Sequence, residues 1–459
     1  MPVVKPVRPG AAEGVAPDGT QVGANWSWPD AGRWVLWLMA VLVVLLAVRI
    51  VALRFNATDL FFDEAQYWSW SLEPAFGYYS KPPMIAWLIG LATSVCGHAE
   101  FCVRLPSPII HTLTACAVFV AAAALYGARI GFLSAVVFAT LPGVSFSAGL
   151  ISTDVPLLLF WAIALAAFVG LVSNRQAWWP AVVLGLALGL GLNAKYAMAY
   201  FVLCALIHVA ATPEKRWILR DPRWWVAVAI GIAMIAPNLI WNLNHSFATF
   251  AHTADNAKWS GSLVHPGKAL EFFAAQFGVF GPILFGALLM IAGRAYRFGL
   301  PPADRLLLSF ALPVVVIITV QAFLSRAHAN WAAVSYVAAT ILVTATMVRD
   351  LAWRWLAASL ALHVALLVGF GAALTQARSL AVPGGNNPFA RVLGWAEVAE
   401  ATRARLARAR AAGRPYGAVV ALDRSIAAEL LYYLRDANVP VLAMPARGRP
   451  RDHFQLTRP

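Results

Sequence analysis

The chain has 459 residues, 61% of them hydrophobic and 12% charged, with a mean hydropathy of +0.69. That balance excludes a conventional soluble multidomain protein and describes a polytopic membrane protein. The net charge of +14 does not imply nucleic-acid binding, because basic residues in loops between apolar runs set helix orientation and meet anionic lipid.

Residues 1–33 are polar and rich in Pro and Gly, without the short apolar core and cleavage site of a signal peptide, and are expected to form a disordered cytoplasmic tail. Apolar runs long enough to span a bilayer need roughly 17–25 residues. Eleven are expected, at 34–53, 105–126, 130–149, 154–172, 177–194, 196–212, 224–241, 269–292, 305–324, 331–347 and 351–374. The run 82–97 is short and opens with two prolines, so it either crosses as a twelfth span or lies at the interface.

Charge parity favours the interfacial placement. With the amino terminus in the cytoplasm and 82–97 not crossing, the inner side holds fourteen basic residues, from Lys5 and Arg8 through the 213–223 cluster to Arg354. The outer side up to residue 375 holds eight, including Arg49, Lys81, Arg104, Lys195, Lys258 and Arg326. This obeys the positive-inside tendency. Arg49 lies inside the first run, near enough to its outer end to be expected to snorkel to water. The four cysteines form no CxxC pair and no zinc-type spacing. Cys116 and Cys204 read as small buried hydrophobes, and Cys96 and Cys102 are expected to stay unpaired.

The same topology collects several polar stations on the outer face. They are the loop 61–83, Asp154 in LISTDVP, Lys195 in NAKY, the loop 242–268 and the segment SRAHANW at 325–331, with Arg326, His328 and Asn330. After residue 375 the composition changes. A helix rich in Arg and Ala, starting near Asn387 or Pro388, is followed by a strand at 417–422, a helix at 425–434 and a strand at 439–444. That order suggests a small α/β domain, 376–459, with parallel strands.

The loop 61–83 reads FFDEAQYWSWSLEPAFGYYSKPP. Asp63 and Glu64 are adjacent and cannot point the same way from a helix or a strand, so one can act as a base while the other orients. The alternative is an acidic pair suited to a helix N-terminus. Lys81 stands on backbone stiffened by Pro82 and Pro83, which suits a point charge for phosphate, or a membrane-interface anchor. Tyr67, Trp68, Trp70, Tyr78 and Tyr79 fit sugar stacking or an aromatic belt. Asp154 and Lys195 sit at span ends, where unpaired charge needs a partner or a wet cavity.

In sequence, FFDEAQYW…GYYSKPP, AEFCVRLPS and LISTDVP together resemble polyprenyl-phosphate-sugar glycosyltransferases of the GT-C type. The branch most similar contains the aminoarabinose and galacturonic acid transferases of lipid A and lipopolysaccharide, related to protein O-mannosyltransferases. The resemblance covers roughly residues 34–375. It implies an all-α polytopic membrane protein of about eleven transmembrane helices in a bacterial inner membrane, with a first periplasmic loop at 54–104 and a small periplasmic C-terminal α/β domain. It implies inverting transfer of a sugar from a polyprenyl-phosphate donor to a hydroxyl or phosphate of lipid A, lipopolysaccharide or another glycan. On that resemblance Asp63 is the catalytic carboxylate and Glu64 its partner. Lys81, Lys195, Arg326 and His328 face the donor phosphate, and Asp154, Tyr67, Tyr78 and Tyr79 line the cavity. No metal, cofactor or nucleic acid is expected, and membrane lipids are the other partners. A transporter or flippase of a lipid-linked or small polar solute is the rival class; the absence of a repeat and the clustering of charge on one face speak against it.

Overall fold

The computed structural model describes residues 28–257, 263–381, 385 and 387–458. The expected tail with Lys5 and Arg8, and Lys258 of the outer loop, lie outside the described residues, except that the first helix already begins at Trp28.

The chain is a helical multi-pass membrane protein. Each of the eleven expected apolar runs is helical over most of its length. Among the described residues six helices are long and apolar enough to cross a membrane: Ala31–Arg54, Glu100–Tyr126, Asp154–Ser173, Pro222–Asn244, Pro302–Leu324 and Trp353–Thr375. The remainder are shorter or broken, and the backbone chemistry says why. Pro266–Val279 and Pro282–Phe298 meet at 115°, because Gly281 takes φ +92° ahead of Pro282, which cannot continue a helix through its missing N–H. The run 130–149 ends as a helix at Thr140 and restarts at Pro142. The run 177–212 divides at Lys195, which is extended at φ −162° and ψ 135° between Trp179–Ala194 and the following helical segment. The helix Met84–Cys96 has 13 residues, about 20 Å at 1.5 Å per residue, short of a hydrocarbon core of about 30 Å.

Lipid-facing and protein-facing surfaces separate cleanly. Trp161, Phe168, Phe201, Phe285 and Phe310 are fully buried at the centre of the bundle, while Leu36, Trp37, Val43, Ile232 and Val368 face outward as lipid requires. Helices pack most closely where side chains are smallest. A Cβ on Gly185 would lie 2.7 Å from the Ala227 carbonyl oxygen, and one on Gly189 2.4 Å from the Met234 Cβ. The four-residue spacing of these glycines lets Trp179–Ala194 and Pro222–Asn244 meet backbone to side chain.

The charges fall into two groups at opposite ends of the helices. Arg294–Asp350, Arg305–Glu214 and Arg349–Asp304 pair among the loops expected inside. Lys195–Asp154 and Arg104–Glu64 pair among those expected outside. Two expectations are corrected here. Arg49 does not snorkel; it is 6% exposed and donates to the Ala139 carbonyl between packed helices. Cys96 and Cys102 are joined in a disulfide, their Cα atoms 5.9 Å apart, because the turn at Gly97 brings the end of Met84–Cys96 back onto Glu100–Arg104 within ordinary bridging range.

After the last span the chain returns to the first loop. Arg378 and the Trp395 amide both donate to Asp59, and Gly394 in the left-handed region starts the helix Trp395–Ala411, later than the expected Asn387. The strands Val419–Ala421 and Val441–Ala443 pair in parallel around the helix Arg424–Tyr433, which is the expected strand–helix–strand order. Asp423 caps that helix through the Ser425 and Ile426 amides. The helix lies on Phe62–Ser71, with Tyr432 donating to the His98 carbonyl at 2.7 Å and Tyr433 accepting from the Leu60 amide at 2.8 Å.

Candidate active site

The helix Phe62–Ser71 begins with Asp63 and Glu64 in its first turn, where the helix dipole favours negative charge. Successive helical positions diverge by about 100°, so the two carboxylates separate. Glu64 turns inward and is 2% exposed. It receives Arg104 in a fork, Nε at 3.0 Å and Nη2 at 2.8 Å, and accepts from the Phe61 and Ile151 amides at 2.9 Å each. Arg104 in turn donates to the Thr58 and Asp59 carbonyls. Both oxygens of Glu64 are thus engaged by protein, and it ties the first loop to the connection between Ser147 and Asp154.

Asp63 stands on the other side, its side chain 37% exposed. Its Oδ1 accepts from Arg424 Nη1 at 2.7 Å, and the same nitrogen donates to Gln66 Oε1 at 3.1 Å. The Phe62 ring lies 4.8 Å from the guanidinium carbon. Arg424 comes from the C-terminal unit, and nothing in its local sequence marks it; only the docking of two helices joins it to Asp63.

Lys195, in the break between helices, reaches Asp154 Oδ1 at 2.7 Å, while Asn330 donates to Oδ2 at 2.6 Å. Asp154 heads the helix Asp154–Ser173, so three separate segments converge on one carboxylate. Lys81 makes no ion pair among the described residues. Burial first, then the positive charge of Lys195, lowers its pKa from 10.5 to about 8, against the pull of Asp63 and Asp154. Asp63, Lys81, Asp154, Lys195 and Arg424 therefore form one electrostatic cluster. His328 joins its edge: burial and the charges of Arg326, Lys195 and Lys81 lower its pKa, so it stays neutral near pH 7. His252 is pushed down to about 4 by burial and by Lys81 and Arg424.

The tyrosines divide. Tyr67 is buried one turn from Asp63, and burial and the Asp63 charge raise its pKa well above the ordinary value. Tyr78 and Tyr79 are 2% and 5% exposed. Tyr78 stacks on Trp70 at 4.6 Å and donates to the Trp70 carbonyl, and Tyr79 donates to the Pro450 carbonyl at 2.9 Å. A sugar platform needs an open ring face; Tyr78 is instead stacked within its own loop, and Tyr79 fastens the loop to the C-terminal unit. The close approach of Gly77 to Trp241, where a Cβ would lie 2.5 Å from the indole, and the bonds Asn238 to Phe76 and Thr249 to Tyr78, each 2.7 Å, seat the stretch that carries Lys81. A separate cleft of about 240 Å³, lined by Trp70, Tyr78, Trp241, His453 and Arg458, opens beyond the far end of the helix Phe62–Ser71 and contains none of the clustered charges. Among the described residues no group of three His, Cys, Asp or Glu side chains is arranged to hold a metal ion.

Such an arrangement offers a half-exposed carboxylate and two lysines, groups able to deprotonate a nucleophile beside an anionic leaving group. Comparison with known proteins runs in the same direction. Residues 80–241 match the model of the dolichyl-phosphate-mannose-protein mannosyltransferase family. The lipid A galacturonosyltransferase RgtD of Rhizobium johnstonii is 40% identical over 409 residues, 89% of this chain and 84% of that protein. The apo structure of ArnT from Cupriavidus metallidurans superimposes with a TM-score of 0.66 at 16% identity, covering 93% of this chain and 88% of ArnT. Its undecaprenyl-phosphate complex gives 0.65 at 15% identity, with 91% and 86% covered. At these identities the two structures establish the shared fold.

Proposed function

This chain belongs to the GT-C family of polyprenyl-phosphate-sugar glycosyltransferases, and from that premise we propose that it transfers a uronic acid sugar, galacturonate, from a polyprenyl-phosphate donor to lipid A or a related envelope glycan. The sugar and acceptor follow the relationship to RgtD. The single observation that carries the chemistry is the placement of Asp63, half exposed on Arg424, in the same charge cluster as the partly buried Lys81, which has no ion-pair partner among the described residues.

In the proposed step an acceptor hydroxyl hydrogen-bonds to Asp63 through the oxygen that Arg424 leaves open. As that hydroxyl oxygen forms its bond to the anomeric carbon, its proton passes to Asp63. The bond from the anomeric carbon to the phosphate oxygen breaks, and its electron pair departs on the polyprenyl phosphate. Attack opposite the leaving group inverts the configuration. Negative charge grows on the phosphate, where Lys81, with Lys195 and Arg326 nearby, stabilises it more in the transition state than in the ground state. Holding a lipid donor and a lipid acceptor at one membrane face supplies the orientation term.

The proposed topology has eleven crossings with 82–97 at the interface, the amino terminus cytoplasmic, and the site and C-terminal unit periplasmic. The Cys96–Cys102 disulfide supports an oxidising compartment on the site's side, and the charge groups at the two ends support the positive-inside assignment. No feature favours the transporter alternative.

The test is a transfer assay in proteoliposomes with synthetic polyprenyl-phosphate galacturonate and lipid A, read by mass spectrometry. Asp63→Asn should lower turnover by about 10²–10⁴-fold, the usual contribution of a general base, with donor binding retained. Full turnover in Asp63→Asn removes the catalytic assignment; solute flux by the native chain without glycosylated product removes the function.

A further inference from the structure

The C-terminal unit does more than cover the first loop. Arg424 reaches the site from a helix that follows the last span, and only one of its nitrogens is engaged. Nη1 serves Asp63 and Gln66, whereas Nε and Nη2 have no hydrogen-bond partner among the described residues and the side chain is 34% exposed. Phe62 covers one face of the guanidinium at 4.8 Å, which leaves its in-plane edge as the open direction. A planar donor edge of this kind matches a carboxylate.

In the cluster of Asp63, Lys81, Asp154, Lys195 and Arg424 the cations outnumber the carboxylates by one. Asp154 neutralises Lys195 and Asp63 neutralises Arg424, so Lys81 is the cation without a mate among the described residues. A uronic acid on a polyprenyl phosphodiester brings two anions, phosphate and carboxylate. Lys81 answers the first. The sugar carboxylate sits on C5, separated from the anomeric carbon only by C5 and the ring oxygen. A group that grips it must therefore stand beside the catalytic base. Arg424 stands there, bonded to Asp63.

We propose that Arg424 is the specificity-determining residue of this enzyme, holding Asp63 with Nη1 and receiving the sugar's carboxylate on its remaining N–H groups. The proposal rests on the function given above. It makes the C-terminal unit part of the donor site, and it explains why the unit's docking helix opens with Arg immediately after its cap residue Asp423.

Two donors test it: undecaprenyl phosphate carrying galacturonate or galactose, which differ only in the carboxylate. Each is assayed with native enzyme and with Arg424→Gln, Arg424→Lys and Arg326→Gln. The native enzyme should prefer galacturonate. Arg424→Gln should lower kcat/KM for galacturonate about tenfold to a hundredfold beyond any loss on galactose, as expected for a charge-assisted pair, with a rise in KM. Arg424→Lys should fall between, because a point charge lacks the planar edge. Arg326→Gln should depress both donors by one factor. Since the readout is a ratio within one preparation, partial misfolding cancels. Equal losses on both donors in Arg424→Gln would reduce Arg424 to a positioning residue for Asp63 and overturn the proposal, as would a native enzyme indifferent to the carboxylate or a preference that collapses in Arg326→Gln instead. A native enzyme that transfers neither sugar overturns the function itself.

Discussion

Asp63 and Arg424 are 361 positions apart in the chain and 2.7 Å apart in space. The contact joins the opening turn of the helix Phe62–Ser71 to the opening turn of Arg424–Tyr433, and so makes the candidate site a composite of membrane bundle and C-terminal unit. Glu64, one residue away, is bound in the opposite direction. The division of roles between two neighbouring carboxylates follows from helical geometry alone.

Glu64 and Arg104 are 2% and 3% exposed, and breaking a buried pair leaves an uncompensated charge. Glu64→Gln should destabilise the protein by about 3–5 kcal/mol, seen as a lowered unfolding temperature in detergent. The double substitution Glu64→Gln with Arg104→Met should be milder than Arg104→Met added to native Glu64 predicts, because no lone ion remains.

Lys81 titrates near pH 8 in the free protein. It is charged below that value and neutral above it, so kcat/KM for the donor should fall as pH rises through about 8, chiefly through KM. A phosphate in place raises the lysine's pKa, so kcat should hold to higher pH. Lys81→Arg, charged throughout, should lose this alkaline limb. A profile for Lys81→Arg that still bends near pH 8 would assign the titration elsewhere.

Glu429 is fully buried, and neither of its oxygens has a hydrogen-bond partner among the described residues. Burial, followed by the charges of Glu64, Asp59 and Glu100, raises its pKa from 4.5 to about 9. A raised carboxyl pKa means that the folded state holds a proton the unfolded state releases. Its stabilising effect is complete below about pH 4.5 and declines as pH rises towards 9. Docking of the C-terminal unit should therefore loosen between pH 5 and 9, measured as faster proteolysis after the last span. Glu429→Gln should flatten that dependence and protect the unit most at pH 8–9.

Asp154 accepts from both Lys195 and Asn330. Asp154→Asn removes the charge that holds Lys195 in place and leaves a second unpaired cation beside Lys81. Donor affinity should tighten or hold, while turnover falls roughly tenfold to a hundredfold as Lys195 loses its orientation, a split visible in separate KM and kcat. Loss of both in parallel with reduced unfolding temperature would make Asp154 a structural residue.

The membrane class, the helical runs and the strand–helix–strand order of the C-terminal unit were all legible in the sequence. Each depends on local signals: hydropathy over a window and periodicity within a few residues. Even the stations Asp154 and Lys195 could be read, because polar residues at span ends have few places to go. The disulfide at Cys96, the burial of Arg49 and the arrival of Arg424 beside Asp63 could not. They depend on how the turn at Gly97 folds back, how the first span packs on the helix ending at Thr140, and how a helix hundreds of residues downstream docks on Phe62–Ser71. Those contacts arise from packing between segments remote in the chain, and no pattern within either segment encodes the distance between them.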